Sequence, residues 1–118
     1  RVGVLSLTSA SSLDVGSTLK QLIQENPEQA FLYASQGDYY LKRRGWRAAQ
    51  KAYFSAFSRD SNNADYAYNL GVCLDQMAKA KLALDFYRQA LELSQAAQAS
   101  FDRIVLEARM AVLTGSLQ

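Results

Sequence analysis

The side chains able to do chemistry are few, and their spacing argues against catalysis. Cys73 is the sole thiol and the chain has no histidine. That removes the commonest general base, the Ser–His nucleophile pair and the imidazole metal ligand. A single cysteine also rules out an intramolecular disulfide and a thiolate zinc cluster. Asp65, Asp75 and Asp85 are the carboxylates to weigh as a catalytic pair. Paired-acid hydrolysis needs two carboxyl groups about 5 to 10 Å apart around a pocket. Spread along two helices, these three read instead as solvated or groove-lining charges. No phosphate-binding glycine loop, paired-cysteine motif or calcium-loop spacing occurs. Cys73, beside Leu74 and one turn from Leu70, reads as a small buried apolar residue rather than a reactive thiol. No catalytic residue, metal or cofactor is expected, and the chain reads as noncatalytic.

What remains is recognition. Lys42, Arg43, Arg44, Arg47 and Lys51 place five positive charges within ten residues. They could meet an acidic partner, a phosphate or RNA. The favoured reading is a solvated turn, in which cations offset the dipole at a helix C-terminus. Tyr39, Tyr40 and Trp46 could stack on bases, but packing accounts for them better, so nucleic acid is disfavoured. The net charge of +2 is too small to argue for nucleic acid or membrane by itself.

These groups need a scaffold, and the composition allows one. Of 118 residues, 49% are apolar and 20% are charged, the balance of an ordinary globular domain. A chain of this size buries about two-thirds of its unfolded surface. No stretch approaches the roughly 18 uninterrupted apolar residues of a membrane span, so no membrane insertion is expected. The first residue is Arg, which suggests a fragment or processed chain. Val2–Leu7 is short for the apolar part of a signal peptide, and residues 1–12 read as an extended or poorly ordered lead-in. A lone cysteine fits either the cytoplasm or a bacterial periplasmic or envelope setting.

The scaffold shows itself as a repeat. Displaced by 34 residues, the sequence aligns Ala30 with Ala64, Gly37 with Gly71, Ala49 with Ala83, Tyr53 with Tyr87 and Ala56 with Ala90. Helical periodicity predicts helices over about 30–42, 46–58, 64–77 and 79–94. Arg44-Gly45 would turn the first pair, and the polar Asp60–Asn63 would link the pairs. Small residues at 37, 49, 71 and 83 would let helices cross closely, with Tyr33, Tyr40, Tyr53, Leu70, Leu74 and Tyr87 filling the space between.

The patterns Tyr33-x2-Gln36-Gly37-x2-Tyr40…Ala49-x3-Tyr53-x2-Ala56 and Ala67-x2-Leu70-Gly71-x2-Leu74…Ala83-x3-Tyr87-x2-Ala90 resemble the tetratricopeptide repeat (TPR). Departures are Gln36 for a usual leucine, Ala67 for a large aromatic, and Ser61 and Gln95 for proline. The resemblance implies an all-α fold, a right-handed superhelical stack of antiparallel helix pairs. Repeats would occupy 30–63 and 64–97. Residues 13–29, with Pro27 at the repeat's proline position, would be the remnant second helix of a degenerate repeat, burying Val15, Leu19, Leu22 and Ile23. Residues 98–115 would form a capping or partner-facing helix stopped by Gly115. Its inner stripe would be Phe101, Ile104, Val105, Ala108 and Val112, leaving Leu106, Met110 and Leu113 on another face for a homodimer contact.

The resemblance also implies a concave groove lined by each repeat's first helix and holding a partner peptide or helix. Carried over by position, the partner-binding residues are Phe31, Asp38, Leu41 and Lys42, then Asp65, Tyr68, Asn69, Val72 and Asp75, then Arg103. One family mode clamps a C-terminal carboxylate. Asn69 and Arg103 match that arrangement, but Ala34, Asp38 and Ala99 replace residues it requires, and an aspartate would repel the ligand. The groove suits instead an amphipathic helix or an extended segment with apolar anchors and mixed charge. Residues 63–94 are also similar to repeats in bacterial envelope and pilus-assembly proteins. The leading expectation is a scaffold or assembly factor. The alternatives are self-association through the last helix and RNA or phosphate binding at 42–51.

Overall fold

The computed structural model describes residues 15–118. The expected lead-in over 1–12, and Leu13 with it, lie outside them. Helix α1 covers residues 15–25. It is followed by α2 (Ala30–Lys42), α3 (Trp46–Arg59), α4 (Ala64–Gln76), α5 (Ala80–Leu93) and α6 (Arg103–Ser116). No strand occurs among the described residues. From α2 to α6, each helix packs against its neighbour in sequence. This is the all-α helical-repeat stack, and the predicted pairs stand within a residue or two of their expected bounds.

The two hairpins close identically. The Gly45 N–H donates to the Tyr40 carbonyl at 2.9 Å and the Arg44 N–H to Leu41 at 3.0 Å. The Lys79 N–H donates to Leu74 at 2.9 Å and the Ala78 N–H to Asp75 at 3.0 Å. Both are Schellman closures, which require a left-handed residue just past the helix end. Arg44 (φ 59°) and Ala78 (φ 62°) fill that position although neither is glycine. The link between pairs uses a side chain instead, as Asn63 Oδ1 accepts from the Tyr66 N–H at 3.1 Å to cap α4.

Inside each pair, glycine sets the approach. A Cβ on Gly37 would stand 2.6 Å from Tyr53 Cε1, and one on Gly71 would stand 2.6 Å from Tyr87 Cδ1. The tyrosine rings therefore lie flat on bare backbone. Tyr53 is fully buried and Tyr87 nearly so. Each hydroxyl donates back to the pair's first helix, Tyr53 to Asp38 Oδ1 at 2.5 Å and Tyr87 to Asp75 Oδ2 at 3.0 Å. Burial first, then the aspartates, hold both phenols protonated far above the ordinary range. Burying such a side chain contributes about 1.5–3 kcal/mol. The core grows outward from these rings through Ala49, Ala67, Leu70, Cys73, Leu74, Ala83, Leu84 and Ala90.

The last helix differs from expectation in extent and in face. It begins at Arg103, where Asp102 Oδ1 accepts from the N–H groups of Ile104 (2.9 Å) and Val105 (3.2 Å). It runs through Gly115 to Ser116 rather than stopping there. Leu106 and Leu113 are buried and Met110 packs on the same core. These three, predicted to be free for a second copy, are used within the chain. The expected inner residues Ile104, Val105 and Val112 are 78%, 62% and 59% exposed. The physical reason is that Leu106, Met110 and Leu113 fill the core beside α5, with Arg109 on the same stripe adding an ion pair. The Arg109 Nε and Nη2 donate to Asp75 Oδ2 and Oδ1 at 2.8 and 2.7 Å, tying that stripe to α4.

Candidate functional site

The first helices of the two pairs, α2 and α4, leave a cleft between them that the α5–α6 linker closes at one end. It has a volume of about 310 Å³ and is lined by Ala34, Asp38, Asp65, Tyr66, Tyr68, Asn69, Ser100 and Phe101. Four predicted partner-binding residues, Asp38, Asp65, Tyr68 and Asn69, thus share one site. Phe101 stacks on Tyr68 with ring centroids 4.7 Å apart and planes at 19°. Asp65 holds the linker, since its Oδ1 accepts from the Ser100 N–H at 2.8 Å and its Oδ2 from the Ser100 hydroxyl at 3.2 Å. One acidic residue and one aromatic stack therefore build the cleft's end wall.

A second cleft, about 370 Å³, runs between α1 and α2. Val15, Leu19, Ser35, Asp38, Tyr39, Lys42 and Arg43 line it. Asp38 borders both clefts, so they adjoin there, and together they are called the first-helix track. Val15 and Leu22 on α1 are 43% and 37% exposed, so the stripe predicted to be buried there is only partly covered. Lys42 belongs to this second cleft.

The remaining predicted residues are placed otherwise. Leu41 and Val72 are half-buried against the hydrophobic core. Phe31 is exposed at the start of α2, and Arg103 is exposed at the start of α6, outside both clefts. Asp75 is committed to Arg109 and Tyr87. The Arg109 guanidinium, opposed in part by burial, holds the Asp75 carboxyl below its ordinary value. Tyr66, Ser100 and Phe101 line the first cleft without having been predicted to. Ser100 and Phe101 lie in a linker that the 34-residue pattern does not describe.

The track offers aromatic, acidic and basic side chains. Among the described residues no cluster could hold a metal ion. Cys73 is fully buried, and burial pushes its thiol up to about 12. Of the basic group, Arg43 lies over the Tyr39 ring, 3.7 Å from its centroid, and donates to the Tyr39 carbonyl. No member of the group is ion-paired among the described residues.

Glycine-seated tyrosines, paired helices and a cleft between first helices define a TPR-like fold. No protein-family model matches the sequence, and no curated protein does either. Solved structures do resemble it. PcrH, in complex with the chaperone-binding region of PopD, has a TM-score of 0.81 at 15% identity, covering 99% of this chain and 89% of that one. A chain in a T3SS complex from Aeromonas hydrophila has a TM-score of 0.76 at 16% identity, covering 98% of this chain and 77% of that one. The OM64 TPR domain from Arabidopsis has a TM-score of 0.73 at 18% identity, covering 92% and 88%. At these identities the likeness is one of fold.

Proposed function

We propose that the chain is a noncatalytic protein-interaction module whose first-helix track holds an extended or helical segment of a partner protein. The observation that carries this reading is the cleft between α2 and α4, walled by Tyr68 and Phe101 and adjoining at Asp38 the cleft along α1. Aromatic walls and half-buried polar groups at the centre of a groove are where peptide-binding energy concentrates. The fold neighbours support it, since PcrH is seen with a region of PopD. Similarity of residues 63–94 to repeats of envelope and pilus-assembly proteins supports a role as an assembly factor.

The experiment is affinity capture from the native host's lysate, comparing the chain with Ala34→Trp and Asn69→Ala variants shown by circular dichroism to stay folded. A protein retained by the native chain and lost when Trp fills the cleft supports the reading. Equal capture by all three contradicts it.

A second reading rests on the basic group at 42–51, which has no ion pair among the described residues and offers an acidic partner, a phosphate or RNA a separate contact. It predicts affinity that falls steeply with salt and disappears when Arg43, Arg44 and Arg47 are neutralised.

A further inference from the structure

We infer that the cleft between α2 and α4 takes a cationic side chain, arginine or lysine, from the partner segment. This deepens the groove reading and rests on it.

The lining of this cleft is acidic. Among the described residues no lysine or arginine lines it, whereas Asp38 and Asp65 both do. Lys42 and Arg43 line the second cleft, on the other side of Asp38, and Arg109 is spent on Asp75 through two short bonds. Neither cleft aspartate is ion-paired among the described residues. Each still has acceptor capacity. Asp38 uses Oδ1 for the Tyr53 hydroxyl, and each Asp65 oxygen receives a single bond from Ser100. A carboxylate oxygen can accept about two hydrogen bonds. The negative field is felt locally as well. Beyond burial, the charges of Asp60, Asp38 and Asp65 push the Tyr66 phenol up.

The cleft also has what a cation's stem needs. The stacked Tyr68 and Phe101 rings form a wall beside the carboxylates. A guanidinium or ammonium prefers an aromatic face together with an acidic end, and methylene stems bury against apolar surface. A volume of about 310 Å³ takes one such side chain with bridging water. An acidic side chain or a terminal carboxylate would meet repulsion instead.

The test selects random 16-residue peptides displayed on phage against the intact chain, and keeps those whose binding is lost in Ala34→Trp. These groove-dependent peptides are expected to be enriched in arginine or lysine. Replacing that arginine by neutral citrulline, or that lysine by norleucine, is expected to weaken a peptide about tenfold, as for one lost charge-assisted contact. Asp38→Asn/Asp65→Asn keeps one acceptor oxygen for the Tyr53 hydroxyl and one for the Ser100 N–H, and the new amide group at 65 can donate to the Ser100 hydroxyl. It is expected to weaken the native peptide about as much and the neutralised peptide hardly at all. Groove-dependent peptides that lack a basic residue, or that bind equally after neutralisation, overturn the cationic site and leave the groove reading standing. If no selected peptide is sensitive to Ala34→Trp, both fall. The neutralised peptides act on the unaltered chain, so the test survives even if the double variant does not fold.

Discussion

Replacing Gly71 by alanine sets two opposing effects against each other. In a helix interior the change is favourable by about 0.5–1 kcal/mol, because glycine loses more backbone freedom on folding. Here the new Cβ would lie 2.6 and 2.7 Å from Tyr87 Cδ1 and Cε1, where 3.4 Å or more is ordinary contact. The ring has little room to retreat, since it is 3% exposed and its hydroxyl is tied to Asp75 at 3.0 Å. Overpacking of this kind costs about 1–3 kcal/mol. The net expectation is a loss of about 1–2 kcal/mol. Gly115→Ala is the internal control, because it is helical and nothing lies within 4 Å of its added Cβ. It should gain a few tenths of a kcal/mol. Urea unfolding followed by circular dichroism reads both. With a slope of about 2 kcal/mol per molar urea, the Gly71→Ala midpoint should fall by about 0.5–1 M while that of Gly115→Ala rises slightly. A Gly71→Ala midpoint at or above that of the native chain would refute the close helix–tyrosine approach on which the repeat assignment rests.

Ala78→Gly removes a left-handed alanine (φ 62°) from the second hairpin and should stabilise the chain by about 1 kcal/mol in the same unfolding assay. Leu106→Ala should cost about 2–4 kcal/mol, whereas Val112→Ser on the exposed face should stay within about 0.5 kcal/mol of the native chain. Asp75 has its carboxyl held below the ordinary 3.8, so its pairing stabilises the fold at neutral pH and fades as pH falls through the lowered value. Arg109→Gln should therefore cost about 0.5–1 kcal/mol at pH 7, and the gap should close below pH 3.8 in acid titrations of stability. Cys73, buried and with its thiol pushed up to about 12, should react with a disulfide reagent at pH 8 only as fast as the chain opens.

The repeat was legible because two glycines and two tyrosines recur 34 residues apart, and only a bare backbone can accept those rings. The same register put Asp38, Asp65, Tyr68 and Asn69 on one groove, and they do share a cleft. Legibility stopped where the period stopped. The linker after α5 delays the last helix to Arg103, so Ser100 and Phe101 fall into the cleft wall instead of a helical stripe. Helix α6 carries apolar residues on two faces, and periodicity cannot choose between them. The structure buries Leu106 and Leu113, and Arg109 on the same stripe pairs with Asp75. Tyr53 and Tyr87 find aspartates at non-equivalent positions, 38 and 75, which a repeat alignment does not reveal.

The groove is tested most directly by placing a photo-crosslinking amino acid at Ala34, inside the cleft, and separately at Gln89 on α5, exposed and outside both clefts of the track. Both proteins are irradiated in the native host's lysate. The account predicts a discrete protein adduct from position 34 that is missing from position 89 and is competed away by excess unlabelled chain. The same adducts from both positions, or adducts from position 89 alone, would contradict it.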